Sequence, residues 1–156
     1  MTVNLHAADW DESSAAEGWS QRARSLREPL RAALIGATLY ELDPGSRICA
    51  YHYHYGEEEW LLLVVGTVTV RGPQGEQVLR EGDVLVFPRG PDGGHDVRNH
   101  GDMPARVLMF SNLADPEVCV YPDSGKVGVW AGGTVGQKLH LMNRVESNLD
   151  YLEGEE

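Results

Sequence analysis

Three histidines and one glutamate in the middle of the chain have the residue types of a metal centre. His52 and His54 are separated by one residue, Glu59 follows them, and His95 lies further along the chain. Imidazole nitrogens and a carboxylate oxygen together suit Fe, Mn, Zn, Ni, Co or Cu. Such a ligand set leaves coordination positions open for a substrate. The residues therefore predict one divalent transition metal with a small-molecule ligand beside it.

Alternation along β-strands would bring these side chains together. Successive side chains of a strand point to opposite faces, so His52 and His54 share one face, whereas Cys49 and Tyr53 are expected on the other. Glu59 follows a polar turn and opens an apolar run, which allows its carboxylate to face inward. An isolated buried carboxylate is costly, and a bound cation removes that cost.

Short apolar runs separated by Gly- and Pro-containing turns indicate an all-β fold from Leu34 onward. The expected strands are Ile35 to Leu42, Ile48 to His54, Glu59 to Val65, Thr67 to Arg71, Glu76 to Leu79, Val84 to Pro88, His95 to Asn99 and Arg106 to Ser111. A series of short strands with tight turns is typical of a sandwich or barrel.

The segments on either side of this region predict additions to the barrel. The first 33 residues are charged and have no strict period, so we expect an irregular N-terminal arm, with Ser13 and Ser14 as candidate caps of a short helical piece. Beyond the barrel we expect a C-terminal extension that packs on the barrel or on a dimer partner. The expected division is therefore an arm over 1–33, a barrel over 34–112 and an extension over 113–156.

Composition excludes several classes of partner. The chain has 156 residues and a formal net charge of −11, and such a surface repels nucleic acid and anionic lipid. It has neither a run of about 18 apolar residues to span a membrane nor a signal-peptide pattern, so we expect a cytoplasmic protein. The two cysteines, Cys49 and Cys119, are expected to be reduced and largely buried.

Two segments of the chain resemble the conserved motifs of the cupin superfamily. The first is Gly45-x6-His52-x-His54-x4-Glu59-x6-Gly66, and the second is Gly82-x5-Pro88-x-Gly90-x4-His95-x3-Asn99. The resemblance spans about Leu34 to Ser111 and implies a double-stranded β-helix, the jelly-roll cupin barrel. The longer match is similar to a group of uncharacterised bacterial single-domain cupins of type 2.

The resemblance also implies which residues bind the metal. Carried over position by position, the ligands are His52, His54, Glu59 and His95. Glu59, unlike Glu58, keeps the six-residue spacing to Gly66, and Glu58 remains a weak candidate for acid–base catalysis. The chain departs from the family by one extra residue before His52 and by an insertion within residues 91–94, which we expect to reshape access or to move His95.

Two functions fit these residues. The first is a metal-dependent enzyme acting on a small oxygen-rich molecule, of the isomerase, decarboxylase or dioxygenase type. The alternative is a non-catalytic binding or sensor module in which the metal anchors a small molecule. A barrel whose site is empty or structural is a third possibility, because a fold alone does not determine function.

Aromatic residues predict a contact between subunits. Trp60, Tyr51 and Tyr53 are expected to form a patch on the outer face of the sheet. Burying such a patch between two subunits would stabilise a dimer in proportion to the area buried, so we expect a two-fold homodimer.

Overall fold

The computed structural model describes residues 1–7, 9–132 and 138–155, and their secondary structure is mostly β. The strands in chain order are β1 (Glu12–Ser14), β2 (Gln21–Ser25), β3 (Ile35–Leu42), β4 (Tyr53–His54), β5 (Glu59–Val65), β6 (Thr67–Gly72), β7 (Gly75–Arg80), β8 (Val84–Phe87), β9 (Asp96–Arg98), β10 (Ala105–Asn112), β11 (Glu117–Tyr121), β12 (Lys126–Ala131) and β13 (Leu139–Arg144). The helical elements are α1 (Arg27–Leu30) and the 3-10 turns Pro91–Gly93, Pro122–Ser124 and Val145–Ser147. No helix within these ranges is long and apolar enough to cross a membrane.

The largest sheet has six strands in the order β1-β2-β3-β10-β5-β8. Strands β3 and β10 are antiparallel along their whole length, from Ala105 opposite Leu42 to Asn112 opposite Ile35. In β5 the side chains of Leu61 and Leu63 are fully buried, whereas Trp60 between Glu59 and Leu61 is exposed. This alternation is expected of a sheet that packs one face on a core.

Two smaller antiparallel sheets complete the barrel. Their strand orders are β13-β12-β11-β4 and β7-β6-β9. Backbone bridges between His52 and His95 and between Arg47 and Arg98 join the segment before β4 to β9 and its neighbours. The sheets enclose one hydrophobic cluster, formed by Leu42, Leu61, Leu63, Val68, Val70, Leu79, Phe87, Val97, Ala105, Val107 and Met109. Antiparallel strands around a single core agree with the predicted jelly-roll barrel.

The N-terminal segment contains strands where an irregular arm was expected. Strand β2 pairs with β3 from Gln21 opposite Leu42 to Ser25 opposite Thr38, and β1 pairs with β2. Ser13 and Ser14 lie in β1 and cap no helix. The free edge of a sheet presents unpaired backbone groups, and β2 satisfies those of β3. The first four residues of β2 are all half-buried. The sequence therefore lacks the alternation of apolar and polar residues that would indicate a strand here.

Strands near the site are shorter than predicted. Within the predicted strand Ile48 to His54, regular strand structure is confined to β4, which pairs with β11 through Cys119 opposite His54. The residues just before His52 form bends, which interrupts the expected strand. The division of the chain at residues 34 and 112 stays a prediction.

The aromatic residues do not form the single outer patch that was expected. The guanidinium of Arg71 lies 4.2 Å from the ring centroid of Tyr51, and Tyr53 packs edge-on against Tyr55 with centroids 5.4 Å apart. Trp60 instead stacks on Phe110 at 6.0 Å between centroids. Tyr51 lies in the bends before β4 and Tyr53 in the four-stranded sheet, whereas Trp60 lies in the six-stranded sheet.

Candidate metal centre

The four predicted ligand side chains meet at one end of the barrel. The Oε2 atom of Glu59 lies 3.2 Å from Nε2 of His54, 3.3 Å from Nε2 of His95 and 4.0 Å from Nε2 of His52. Strand β5 supplies the carboxylate, and the backbone bridge between His52 and His95 holds two of the imidazoles side by side. The three ring nitrogens thus lie around Oε2 of Glu59.

Each imidazole is held through its other ring nitrogen, Nδ1. The contacts are His52 Nδ1 to Ala50 O at 2.9 Å, His95 Nδ1 to Gly93 O at 2.9 Å and His54 Nδ1 to Glu117 Oε1 at 3.1 Å. Carbonyl and ionised carboxylate oxygens only accept hydrogen bonds, so Nδ1 carries the proton in each ring. In a neutral ring the lone pair is then on Nε2, which faces Glu59 and is the atom a metal would bind.

Buried polar atoms without partners mark the centre of this cluster. Nε2 of His54, Nε2 of His95 and Oε2 of Glu59 are buried, and none has a hydrogen-bond partner in the described part of the chain. Ligand atoms of His52, Glu59 and His95 all lie within 4.8 Å of one another. Buried polar groups are normally satisfied, so the shared lack of partners is best met by a cation bound among them. The donor set fits a divalent transition metal.

Electrostatic interactions keep Glu59 ionised inside the cluster. Burial by itself would raise the pKa of Glu59, but His54 and His95 outweigh it and hold that pKa well below its usual value. Burial, followed by the neighbouring His95 and His54, lowers the pKa of His52 to about 4. Burial lowers the pKa of His54, yet Glu59 and Glu117 more than compensate and raise it. The ionised carboxylate therefore attracts a positive charge, which a proton or a metal can supply.

The insertion within residues 91–94 fixes His95 in place. Its residues form the 3-10 turn Pro91–Gly93, and the Gly93 carbonyl accepts the His95 Nδ1 hydrogen bond. A Cβ atom at Gly93 would overlap the carbonyl oxygen of Pro88, so the turn needs glycine there. His95 also stacks on Phe87 with ring centroids 3.7 Å apart. The expected displacement of His95 does not occur.

Glu58 does not join the cluster. Its side chain is exposed, and Oε1 accepts a hydrogen bond of 3.0 Å from Nε1 of Trp60 on the outer side of the sheet. Alternation explains the difference, because Glu58 precedes the inward-facing Glu59 by one residue. Of the two acidic residues, Glu59 alone is placed to bind a metal.

Glu117 is a site residue that the sequence did not reveal. It opens β11 with its side chain 7% exposed, and its carboxylate holds His54. Burial raises its pKa more than the nearby His54 lowers it. The available signal was alternation, since Glu117, Cys119 and Tyr121 share one face of β11. The pairing of β11 with β4 that brings Glu117 to His54 joins segments far apart in sequence.

Cys49 lies on the pocket side, contrary to the expectation from strand alternation. Its Sγ atom is 3.3 Å from Nδ1 of His52. Alternation fails because the backbone bends between Cys49 and His52 instead of forming a strand. Burial raises the pKa of Cys49 well above its usual value and that of Tyr40 to about 12, so both groups stay protonated near neutral pH.

A pocket of about 450 Å³ opens beside the metal cluster. Alternate residues of β2 and β3, which share one face of the sheet, form one wall: Gln21, Ala23, Ser25, Thr38 and Tyr40. Ile48 and Met109 add apolar surface. The volume lies in the range of about 300–1,000 Å³ found for small-molecule sites.

Comparison with known proteins gives the family. Residues 38–111 match the family model described as Cupin domain. This match over the central barrel supports a type-2 cupin and confirms the resemblance of the two motifs. The structure of a cupin-superfamily sugar phosphate isomerase from Silicibacter pomeroyi has a TM-score of 0.80 at 21% identity, with 95% of each chain covered. That likeness confirms the jelly-roll fold.

Two curated relatives each match about half of the chain. Tetracenomycin polyketide synthase protein TcmJ of Streptomyces glaucescens is 37% identical over 91 residues, which are 54% of this chain and 58% of TcmJ. Auxin-binding protein ABP19b of Prunus persica is 33% identical over 88 residues, which are 53% of this chain and 40% of that protein. The chain thus spans about half the length of the curated relatives it matches.

Proposed function

We propose that this cupin binds one divalent transition metal through His52, His54, Glu59 and His95 and acts enzymatically on a small oxygen-rich molecule. The observation that supports it best is the convergence of three Nε2 atoms on the Glu59 carboxylate while each Nδ1 is engaged elsewhere. A divalent cation in this position supplies Lewis-acid chemistry to an oxygen donor of the ligand.

The pocket beside the cluster supports catalysis on a small molecule. Tyr40 and Cys49 line it with protonated hydroxyl and thiol groups that can donate hydrogen bonds to a bound substrate. A metal that holds an oxygen-rich substrate can serve isomerase, decarboxylase or dioxygenase chemistry. The names of the relatives suggest polyketides or phosphorylated sugars as candidate substrate classes, and because these differ, the proposal rests on the site.

Metal-dependent turnover tests this proposal. The full chain, loaded with Fe(II), Mn(II) or Co(II), is incubated with hydroxy acids, aldoses and 1,3-diketones, and products are detected by NMR. We expect conversion of at least one compound by the wild type and by the exposed control His100→Ala, and none by His54→Ala. Ligand-induced changes in the Co(II) absorption spectrum without any product would contradict the enzyme and favour the binding module.

We also propose that the protein forms a homodimer through the outer face of its large sheet. Trp60 is 39% exposed and pairs in register with Val86, which is 42% exposed, while Val84 beside them is 55% exposed. A second copy covering this face would bury these apolar side chains about a two-fold axis. Analytical ultracentrifugation should show a wild-type dimer and a Trp60→Glu monomer, and a wild-type monomer would refute the dimer. The cytoplasmic location stays a prediction.

A further inference from the structure

The outer half of the pocket is built by the N-terminal strands. Glu12 in β1 lies opposite Ala23 in β2, and Ala23 lies opposite Tyr40 in β3, so the three residues form a row across the sheet. All three line the pocket that contains the metal cluster. Strands β1 and β2 thus extend the pocket wall beyond β3, on the side away from Glu59 in β5.

This outer half presents hydrogen-bond acceptors. Asp11 and Glu12 line the pocket with carboxylates. Nε2 of Gln21 donates to the carbonyl of Ile48 at 3.3 Å, which fixes the orientation of the amide because a carbonyl only accepts. Oε1 of Gln21 is then an acceptor, and it is buried without a hydrogen-bond partner among residues 1–7, 9–132 and 138–155. The buried Oε1 of Gln21 thus lacks a donor that a ligand can supply, whereas Asp11 and Glu12 are exposed and Oδ2 of Asp11 accepts from the backbone N–H of Ser25 at 3.0 Å.

Positive side chains are missing from the same surface. Among the described residues that line this pocket there is no lysine or arginine. Arg22, on β2, forms ion pairs with Glu41 at 2.8 Å and Asp43 at 2.9 Å. Sites that hold phosphate normally supply arginine, lysine or helix N-termini. A phosphate group here would face the carboxylates of Asp11 and Glu12 with no cation beyond the metal.

We infer that the ligand of this pocket carries hydroxyl or ammonium donors at the end facing Asp11, Glu12 and Gln21, and that phosphate esters are excluded. The inference rests on the proposed metal site, which anchors the other end of the ligand. Acceptors attract donors and repel a dianion, so specificity comes from unfavourable contacts with phosphate as well as from favourable contacts with hydroxyls.

Three probes that share one metal-binding group test this inference. Glycerate, isoserine and 3-phosphoglycerate all offer a 2-hydroxycarboxylate to the metal and carry a hydroxyl, an ammonium or a phosphate at the third carbon. Each is titrated into the Co(II)-loaded full chain, followed by the Co(II) absorption spectrum. We expect glycerate and isoserine to bind at least about tenfold more tightly than 3-phosphoglycerate, because like charges at an interface are strongly disfavoured.

Variants test whether the outer half of the pocket causes the preference for glycerate and isoserine over 3-phosphoglycerate. Glu12→Gln combined with Asp11→Asn should reduce the difference between isoserine and 3-phosphoglycerate by about tenfold, and Gln21→Leu should weaken glycerate binding. Glu17→Gln makes the same kind of charge change at an exposed residue outside the lining and should leave the probes unchanged.

The outcomes separate this inference from the proposed metal site. Binding of 3-phosphoglycerate as tight as that of glycerate would overturn the inference, as would a loaded site that binds none of the probes. Failure to load Co(II), visible before any probe is added, would contradict the metal site itself.

Discussion

Glu59 and Asp96 are two buried carboxylates near His95 whose partners differ. Asp96 is fully buried, and its Oδ2 accepts from Nε of Arg98 at 2.7 Å and lies 3.6 Å from Nη1 of Arg47. Oε2 of Glu59 faces imidazoles. A guanidinium is always charged, so the fold itself neutralises Asp96, whereas a neutral imidazole leaves Glu59 without a counter-charge. The partners of a buried carboxylate thus distinguish an ion pair of the fold from a metal ligand.

The burial of Asp96 differs from what strand alternation indicates. Alternation from the inward-facing His95 would place Asp96 on the outer face, but Asp96 is buried. Asp96 and Val97 are consecutive in β9 and both are buried, so this strand shows no alternation of buried and exposed residues. Arg47 and Arg98 remain partly exposed and bring their positive charges to the carboxylate.

Removing the charge of Glu59 should have the largest effect on metal binding. Glu59→Gln keeps the size of the side chain but loses the negative charge that holds the cation. We expect metal affinity to fall by more than about 100-fold, since loss of an outer hydrogen-bond partner alone typically costs about 10–100-fold. Competition with a chromophoric chelator measures this. A variant with wild-type affinity would show that Glu59 is no ligand.

The same chemical change at Asp96 should affect the fold instead. Asp96→Asn weakens charged hydrogen bonds with Arg98, and we expect the free energy of unfolding to fall by about 1.5–3 kcal/mol in urea. Metal affinity of the folded variant should stay close to wild type. If Asp96→Asn lost metal as Glu59→Gln does, the distinction between the two carboxylates would be wrong.

Removing the Glu117 carboxylate that holds His54 should have an intermediate effect on metal binding. Glu117→Ala leaves His54 Nδ1 without its acceptor, and we expect a loss of about 10–100-fold in metal affinity. Glu117→Gln keeps an acceptor oxygen and should recover part of this loss. Equal losses in both variants would indicate that the charge of Glu117, rather than its hydrogen bond to His54, is what matters.

The smallest effect is expected at Cys49. Its Sγ atom contacts Nδ1 of His52, the ring nitrogen that does not face Glu59, and Cys49 lies outside the cluster of ligand atoms of His52, Glu59 and His95. Cys49→Ser should therefore leave metal affinity and stoichiometry almost unchanged in the chelator assay. A large loss would add a sulfur ligand to the proposed set.

Long strands with clear hydrophobic patterns were predictable from sequence. The bounds of β3 and β5 agree with the predicted Ile35 to Leu42 and Glu59 to Val65, because each has an apolar run that packs on the core. That His52 and His54 share one face was also predictable, because a single residue separates them. These features depend on local spacing, which the sequence shows directly.

Features that depend on distant pairing were not predictable. Glu117 reaches His54 because β11 pairs with β4, and the pocket wall gains Glu12 because β1 and β2 extend the sheet beyond β3. Neither strand pair has a local pattern that specifies its partner. Cys49 was misplaced because bends interrupt the alternation on which its orientation was judged.

Metal stoichiometry tests the proposed centre most directly. Wild-type chain and His54→Ala are loaded with Co(II), freed of excess by gel filtration and analysed by native mass spectrometry, with circular dichroism to show that both are folded. We predict about one cobalt ion per wild-type chain and almost none in folded His54→Ala, because a ligand has been removed. Wild-type protein without cobalt, or equal cobalt in both proteins, would contradict a metal centre at these four residues.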